Sequence, residues 1–197
     1  MIPGLGPKLV IRLRRVLSLD GRQLSASVNT LCIMIIETEG RLQLRIVSGG
    51  QTGADLSALD WAIAHSADHG GWCPKGRRSE DGPIPAHYLL SETPLSNYLQ
   101  RTEWNVRDSD ATVIFTLTDA LDGGSKRTAQ FAEKLRRPWL HFRPGVHEKY
   151  LTQFLTRHKV TTLNVAGKRE SSAPGIYRFV FDTLDRVLTS GPSPGAN

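Results

Sequence analysis

Two glycine-bearing segments put main chain where an anion can meet it. In Ser48–Asp55, SGGQTGAD, the glycines Gly49, Gly50 and Gly53 surround Gln51 and Thr52 and run directly into a helical pattern that begins with Ala54 and Asp55. In DGGSKRT, Gly123 and Gly124 precede Ser125 and Thr128 in the same manner. Glycine lets the backbone approach a ligand closely, and the helix that follows offers N–H groups without intrahelical partners and a partial positive charge. A phosphate or other oxyanion is the guest such turns suit. The first turn is neither GxGxxG nor GxxxxGK followed by Ser or Thr, because Gly53 leads to Ala54 and Asp55. On these residues alone a tight strand-to-helix corner, with Asp55 and Asp60 as acids favoured by the helix dipole, is the competing reading.

The segment Asp68–Pro85, DHGGWCPKGRRSEDGPIP, adds side chains of matching chemistry. Lys75, Arg77 and Arg78 supply a point charge and guanidinium forks for an oxyanion, and Trp72 a flat face for a heterocycle. A long stretch without periodicity inside a compact domain is usually functional or disordered; the competing reading is a solvated loop whose cations pair with Glu80 and Asp81. Cys73 has no cysteine or histidine at ligand spacing, so a packed thiol is expected there and no protein-built metal site. Further on, Arg101 and Asn105 lie one helical turn apart and share a face, as do Trp104 and Arg107. That face lines a pocket or forms exposed salt bridges.

These groups need a scaffold, and the chain alternates strand and helix. Leu42–Ser48, Asp110–Leu117, Pro138–Phe142 and Thr161–Gly167 read as strands, the second apolar and β-branched as a strand covered on both faces must be. Helical patterns follow, with Leu56, Leu59, Ala62 and Ile63 on one face of the first, Ala129, Ala132 and Leu135 striping a later one, and Pro174 near the first turn of the last. The expected fold is α/β, a single Rossmann-like domain whose mostly parallel, doubly wound sheet is flanked by helices. Ligands of such sheets sit at the carboxyl ends of strands near a reversal of strand order. The turns at Gly49–Gly53, Gly123–Gly124 and Ala166–Gly167 all fall on that edge.

Composition bounds the rest. A chain of 197 residues with 39% hydrophobic content closes one core, and two cysteines, Cys32 and Cys73, make no disulfide framework, which points to the cytoplasm. No apolar run reaches membrane-span length. Of the net charge of +6, residues 1–33 carry most, with Lys8, Arg12, Arg14, Arg15 and Arg22 against Asp20 alone. The remainder is nearly neutral, so no nucleic-acid partner is expected. Residues 1–33 read as a basic, flexible extension, or as residues upstream of a true start at Met34; 34–190 form the ligand-binding domain, and 191–197 a flexible tail.

The blocks SGGQTGADLSALDWAI, HGGWCPKGRRSEDGPIP, LSETP, RTEWNVRDSDATVIF, GGSKRT and NVAGKRESSAPGIY, spread over residues 42–188, resemble in order and spacing the molybdenum carrier proteins, a branch of the SLOG-type Rossmann-like superfamily. The resemblance implies a homo-oligomer, dimer or tetramer, that binds the molybdenum cofactor (molybdopterin), a pterin bearing a terminal phosphate and a dithiolene-held oxo-metal, or a molybdate or phosphate-containing analogue. Carried onto this chain, it assigns anion binding to Gly49–Gly53, to Lys75, Arg77 and Arg78, and to Gly123, Gly124, Ser125 and Thr128; Lys126 and Arg127 depart from a plainer second turn and add charge beside the cleft. A carrier without catalytic residues is the leading expectation. The alternative is a phosphoribohydrolase-like enzyme of the same superfamily, although Gln130 stands where such enzymes need a glutamate, leaving Glu80, Asp81 or Glu103 to serve.

Overall fold

A computed structural model describes residues 44–189; the expectations for residues 1–33, for the start of the domain at Met34 and for the 191–197 tail lie outside the described residues. Nine strands and five helices follow in order: β1 (Arg45–Val47), α1 (Ala54–Ala64), β2 (His69–Gly70), β3 (Trp72–Cys73), β4 (Arg78–Ser79), β5 (Gly82–Pro83), β6 (Ser91–Glu92), α2 (Tyr98–Arg107), β7 (Ala111–Phe115), α3 (Gly123–Lys134), β8 (Trp139–Phe142), α4 (Glu148–Arg157), β9 (Thr162–Gly167) and α5 (Ile176–Leu188). A single 3-10 turn, Glu170–Ser172, joins β9 to α5.

The central sheet runs β2-β1-β9-β7-β8 with every neighbour parallel. The chain winds outward from β1 to β2 and outward again from β7 to β8, and β9, last in sequence, inserts between β1 and β7. Strand order therefore reverses around β9. Register sets Ile46 against Leu163 and Val113 against Val165, so β1, β9 and β7 present a continuous apolar surface. Every residue of β7 is buried, which explains its unbroken ATVIF composition. Ala54, Ala58 and Trp61 of α1 and Ile176, Val180 and Leu184 of α5 close the core. Each fully buried large aliphatic or aromatic side chain contributes about 1.5–3 kcal/mol.

Two expectations change. Ile63 is exposed rather than inward, because α1 packs on the sheet and α5 through Ala54, Ala58 and Trp61 and on a second cluster of Cys73, Ile84, Tyr88 and Leu90 through Leu59. Segment 68–85 is ordered although it lacks periodicity. β2 joins the main sheet, β3 pairs in parallel with β6, and β4 and β5 form an antiparallel hairpin. Its order comes from Arg77, whose guanidinium donates to the carbonyls of Ile84 (2.8 Å), Pro85 (2.8 Å), Tyr88 (2.9 Å) and Leu90 (3.1 Å). Pairs two residues long carry too little pattern to be seen as strands. Among the described residues no helix is long and apolar enough to cross a membrane.

Candidate functional site

The ends of β1, β7 and β9 meet at a cleft of about 370 Å3, within the range of roughly 300–1,000 Å3 usual for small-ligand sites. One wall is the start of α3. Its cap residue Asp122 makes no capping hydrogen bond and instead pairs with Lys168. The first intrahelical bond is Lys126 N–H to Asp122 O at 3.1 Å, so the N–H groups of Gly123, Gly124 and Ser125 precede the helical ladder without a capping side chain. Nothing lies within 4 Å of where a Cβ would stand on Gly123 or Gly124, and Gly123 has φ 47°. Glycine keeps this wall open. Ser125 is buried, and its hydroxyl has no partner among the described residues. Thr128 also lines the cleft, its hydroxyl spent on Gly124 O at 3.0 Å.

The opposite wall is the β1–α1 corner, which is closed by its own side chains. Asp55, 3% exposed, accepts from Gln51 N–H at 3.3 Å and from Arg101 Nη1 at 2.8 Å. Burial pushes its carboxyl above the usual range, against the lowering by Arg101. Gln51 Oε1 accepts from the N–H groups of Thr52 (3.0 Å) and Glu80 (2.9 Å), and the Thr52 hydroxyl meets Glu80. Ala54 N–H goes to Lys168 O at 3.1 Å. The corner thus does not offer the fan of free amides its glycines led us to expect. Gly49 seats the Arg101 guanidinium, whose Nη1 lies 1.5 Å from an ideal Cβ position; Gly50 faces Leu90 and Ile84; Gly53, at φ 72°, would set a Cβ 2.5 Å from Lys168 O. These are close-packing glycines.

Lys168 and Arg169, on the turn leaving β9, complete the floor with Ala166 and Gly167. Arg127 adds a third cation, and Tyr98 and Leu99 from the first turn of α2 an apolar lip, with the Arg169 guanidinium 5.1 Å over the Tyr98 ring. Five buried side-chain polar atoms lack a partner among the described residues, and three of them belong to residues that line this cleft: Gln51 Nε2, Arg101 Nε and Ser125 Oγ. All three can donate. Orphaned buried donors are costly unless something accepts from them.

The cleft therefore brings together Gln51, Asp55, Arg101, Gly123, Gly124, Ser125, Arg127, Thr128, Ala166 and Gly167 of the residues singled out in the sequence. The others lie elsewhere. Lys75 and Arg78 are exposed outside the cleft, and Arg77 is consumed by four carbonyls. Trp72 packs edge-on against Trp104 at 4.6 Å, donates from Nε1 to Asp108 (2.8 Å) and borders a separate depression with Arg45, Gly71 and Leu89. Asn105 is buried and clamps the Trp72 backbone, accepting its N–H at 2.7 Å and donating to its carbonyl at 3.0 Å. Cys73 is a buried free thiol, pushed up by burial. Glu80 is held below the ordinary carboxylate range: burial raises it, but hydrogen bonds from Ser171 and Thr52 outweigh that. Glu103 pairs with Lys134 at 2.9 Å. Sequence reasoning missed Lys168, Arg169, Tyr98 and Leu99; the one available signal was the Lys-Arg pair directly after Gly167 at a strand end.

Fold and site define a Rossmann-like α/β binding protein with its cleft where strand order reverses. The chain belongs to the circularly permutated YpsA SLOG family, whose model matches residues 46–188. A solved structure named "Putative molybdenum carrier protein", from Syntrophus aciditrophicus SB, is 43% identical, with a TM-score of 0.70, over 73% of this chain and 94% of its own. A second structure, (E)-4-hydroxy-3-methyl-but-2-enyl diphosphate reductase, is 11% identical over 75% of this chain and 63% of its own at a TM-score of 0.32, too remote for any argument. No curated protein matches the chain.

Proposed function

We propose that this protein is a carrier that binds the molybdenum cofactor, or a related phosphorylated heterocycle or oxyanion, in the cleft between α3 and the β1–α1 corner and leaves it chemically unchanged. The carrying observation is that Ser125, Gln51 and Arg101, each with a buried donor (Oγ, Nε2 and Nε) lacking an acceptor among the described residues, line one cleft that also presents the uncapped start of α3. Backbone N–H groups of Gly123, Gly124 and Ser125 hold an oxyanion there, with Lys168, Arg169 and Arg127 supplying charge and Tyr98 and Leu99 covering a ring. The name of the Syntrophus relative supports molybdenum as the cargo. The cleft's own carboxylates argue against acid–base chemistry, since Asp55 is engaged by Arg101 and Asp122 by Lys168. By the family resemblance the protein acts as a homo-oligomer, dimer or tetramer, in the cytoplasm, which light scattering on a sizing column checks for the assembly.

The test is isothermal titration of the purified chain with orthophosphate and with molybdate. Saturable binding of either is expected, weakened about tenfold or more by Ser125→Ala combined with Lys168→Ala, which together remove a hydrogen bond and a charge. Absence of saturable binding of both anions overturns the reading.

A further inference from the structure

A second depression, of about 260 Å3, opens toward the other end of the sheet. Arg45 begins β1 and Thr162 begins β9, and the two are registered partners, whereas the first cleft lies where those strands end. Leu44 and Ile46 belong to the core that α1 and α5 close, so alternation along the strand sends Arg45 and Val47 to the opposite face. No residue lines both the depression and the cleft.

Its polar lining divides into groups already engaged and groups that are not. Asp108 is engaged: Arg107 donates to it from Nε at 2.6 Å and from Nη2 at 2.8 Å, and Trp72 from Nε1 at 2.8 Å. The hydrogen bonds from Arg107 hold its carboxyl below the ordinary range against burial, so it stays an anion whose charge is already matched. Arg45 is different. Among the described residues no hydrogen bond or ion pair engages its guanidinium, nor any hydrogen bond the hydroxyls of Ser91 and Thr162, which line the same space. A glycine seats that guanidinium: Arg45 Nη2 lies 2.6 Å from the point a Cβ on Gly70 would occupy, and Leu89 O lies 3.3 Å from the same point. Leu89 is 66% exposed, and Val47 and Trp72 line the depression with it, so apolar surface stands next to the cation.

We propose that this depression is a second binding site, for a small organic monocarboxylate with an apolar body, its carboxylate taken by the Arg45 guanidinium with the Ser91 and Thr162 hydroxyls and its body by Leu89, Val47 and Trp72. Size sets one limit. The volume falls just below the roughly 300–1,000 Å3 of sites for drug-sized ligands, so the guest is small. Charge sets the other: a guanidinium fork matches a planar carboxylate in shape, and one uncompensated cation balances one negative charge. A dianion such as a phosphate ester brings its second charge up against Asp108, which lines the same space. The site does not depend on the carrier reading of the cleft.

The experiment follows the isotope-labelled full chain by two-dimensional NMR as benzoate, benzamide and orthophosphate are added in separate titrations under one salt condition. Benzoate shifts the Trp72 indole N–H and the Gly71 and Ser91 amides saturably. Benzamide, the same shape without the charge, acts on those resonances about tenfold or more weaker, and so does orthophosphate. Arg45→Gln removes the cation from an exposed position, and its affinity for benzoate falls about tenfold, to that of benzamide; circular dichroism melting confirms that the variant is folded. Benzoate shifts that do not saturate or that spare these three groups, equal affinities for benzoate and benzamide, or orthophosphate acting on the same resonances as tightly as benzoate each overturn the proposal in the wild-type chain alone. Undiminished benzoate binding by Arg45→Gln overturns it as well.

Discussion

Replacing Arg101 by methionine strips the bonded cation from a buried carboxylate and leaves it only the more distant charge of Arg169. Asp55 is 3% exposed, sits 2.8 Å from Arg101 Nη1, and its remaining hydrogen bond is a 3.3 Å contact from Gln51 N–H. Removing one member of a buried ion pair costs about 3–5 kcal/mol, which for a domain of this size lowers the melting temperature by roughly 6–20 °C. Against a total stability of about 5–15 kcal/mol this is a large share, so circular dichroism at about 25 °C first checks that the variant is folded. The penalty carries a pH signature. Burial already raises the Asp55 carboxyl above its unfolded value, and loss of Arg101 raises it further. A raised acid favours folding when protonated and loses that contribution as pH climbs through its folded value. The gap between wild type and Arg101→Met is therefore largest near neutrality and narrows on acidification toward pH 5. Urea unfolding followed by circular dichroism at pH 7 and pH 5 measures both gaps, and the double variant Arg101→Met/Asp55→Asn, which removes the stranded charge, recovers part of the loss at pH 7. A deficit under about 1 kcal/mol at neutrality, or one that is the same at both pH values, refutes the argument that Arg101 neutralises a desolvated Asp55.

Gly124→Ala separates stability from binding: no atom lies within 4 Å of the added Cβ, so the helix gains about 0.5–1 kcal/mol by thermal melting while the methyl group on the α3 wall weakens orthophosphate binding in calorimetry. Arg77→Ala removes donations to four carbonyls and costs about 2–3 kcal/mol, with faster tryptic cleavage between residues 74 and 90 than in wild type. Asp110 is held low, burial raising it but the N–H groups of Thr161 and Thr162 and the Thr161 hydroxyl lowering it more. Its contribution is present above the unfolded carboxylate value and is lost as pH falls through the lower folded value, so urea midpoints recorded from pH 5 to pH 2.5 fall less steeply for Asp110→Asn than for wild type.

The elements legible in the sequence are those with enough residues to show a period. The ATVIF strand, buried throughout, and helices such as α3, with Ala129 and Ala132 inward, stand where their patterns put them. The carboxyl edge of the sheet was legible too, because three strands end in glycine-bearing turns and those turns meet in space. Side-chain roles were less so. A Lys-Gly-Arg-Arg run has the same composition whether its guanidinium meets a phosphate or, as with Arg77, gathers carbonyls that a turning chain leaves without partners. Asn105 and Arg101 lie four residues apart on α2, yet one tethers the Trp72 backbone and the other reaches the cleft, a distinction set by what α2 packs against rather than by spacing. Lys168 and Arg169 were hidden because nothing in a single Lys-Arg pair states that Asp122, 46 residues earlier, is its neighbour.

Glu80 joins three pieces of chain that sequence keeps far apart: its carboxylate takes the hydroxyls of Thr52 and Ser171 and lies 3.8 Å from Arg169, while its N–H reaches Gln51. A knot of that kind turns the rim of the cleft into a single mechanical unit. Opening the β4–β5 hairpin, the first corner or the 3-10 turn breaks contacts to the other two, so protected amides of all three are expected to share one opening free energy in hydrogen exchange, and a guest that stills one of them stills the rest.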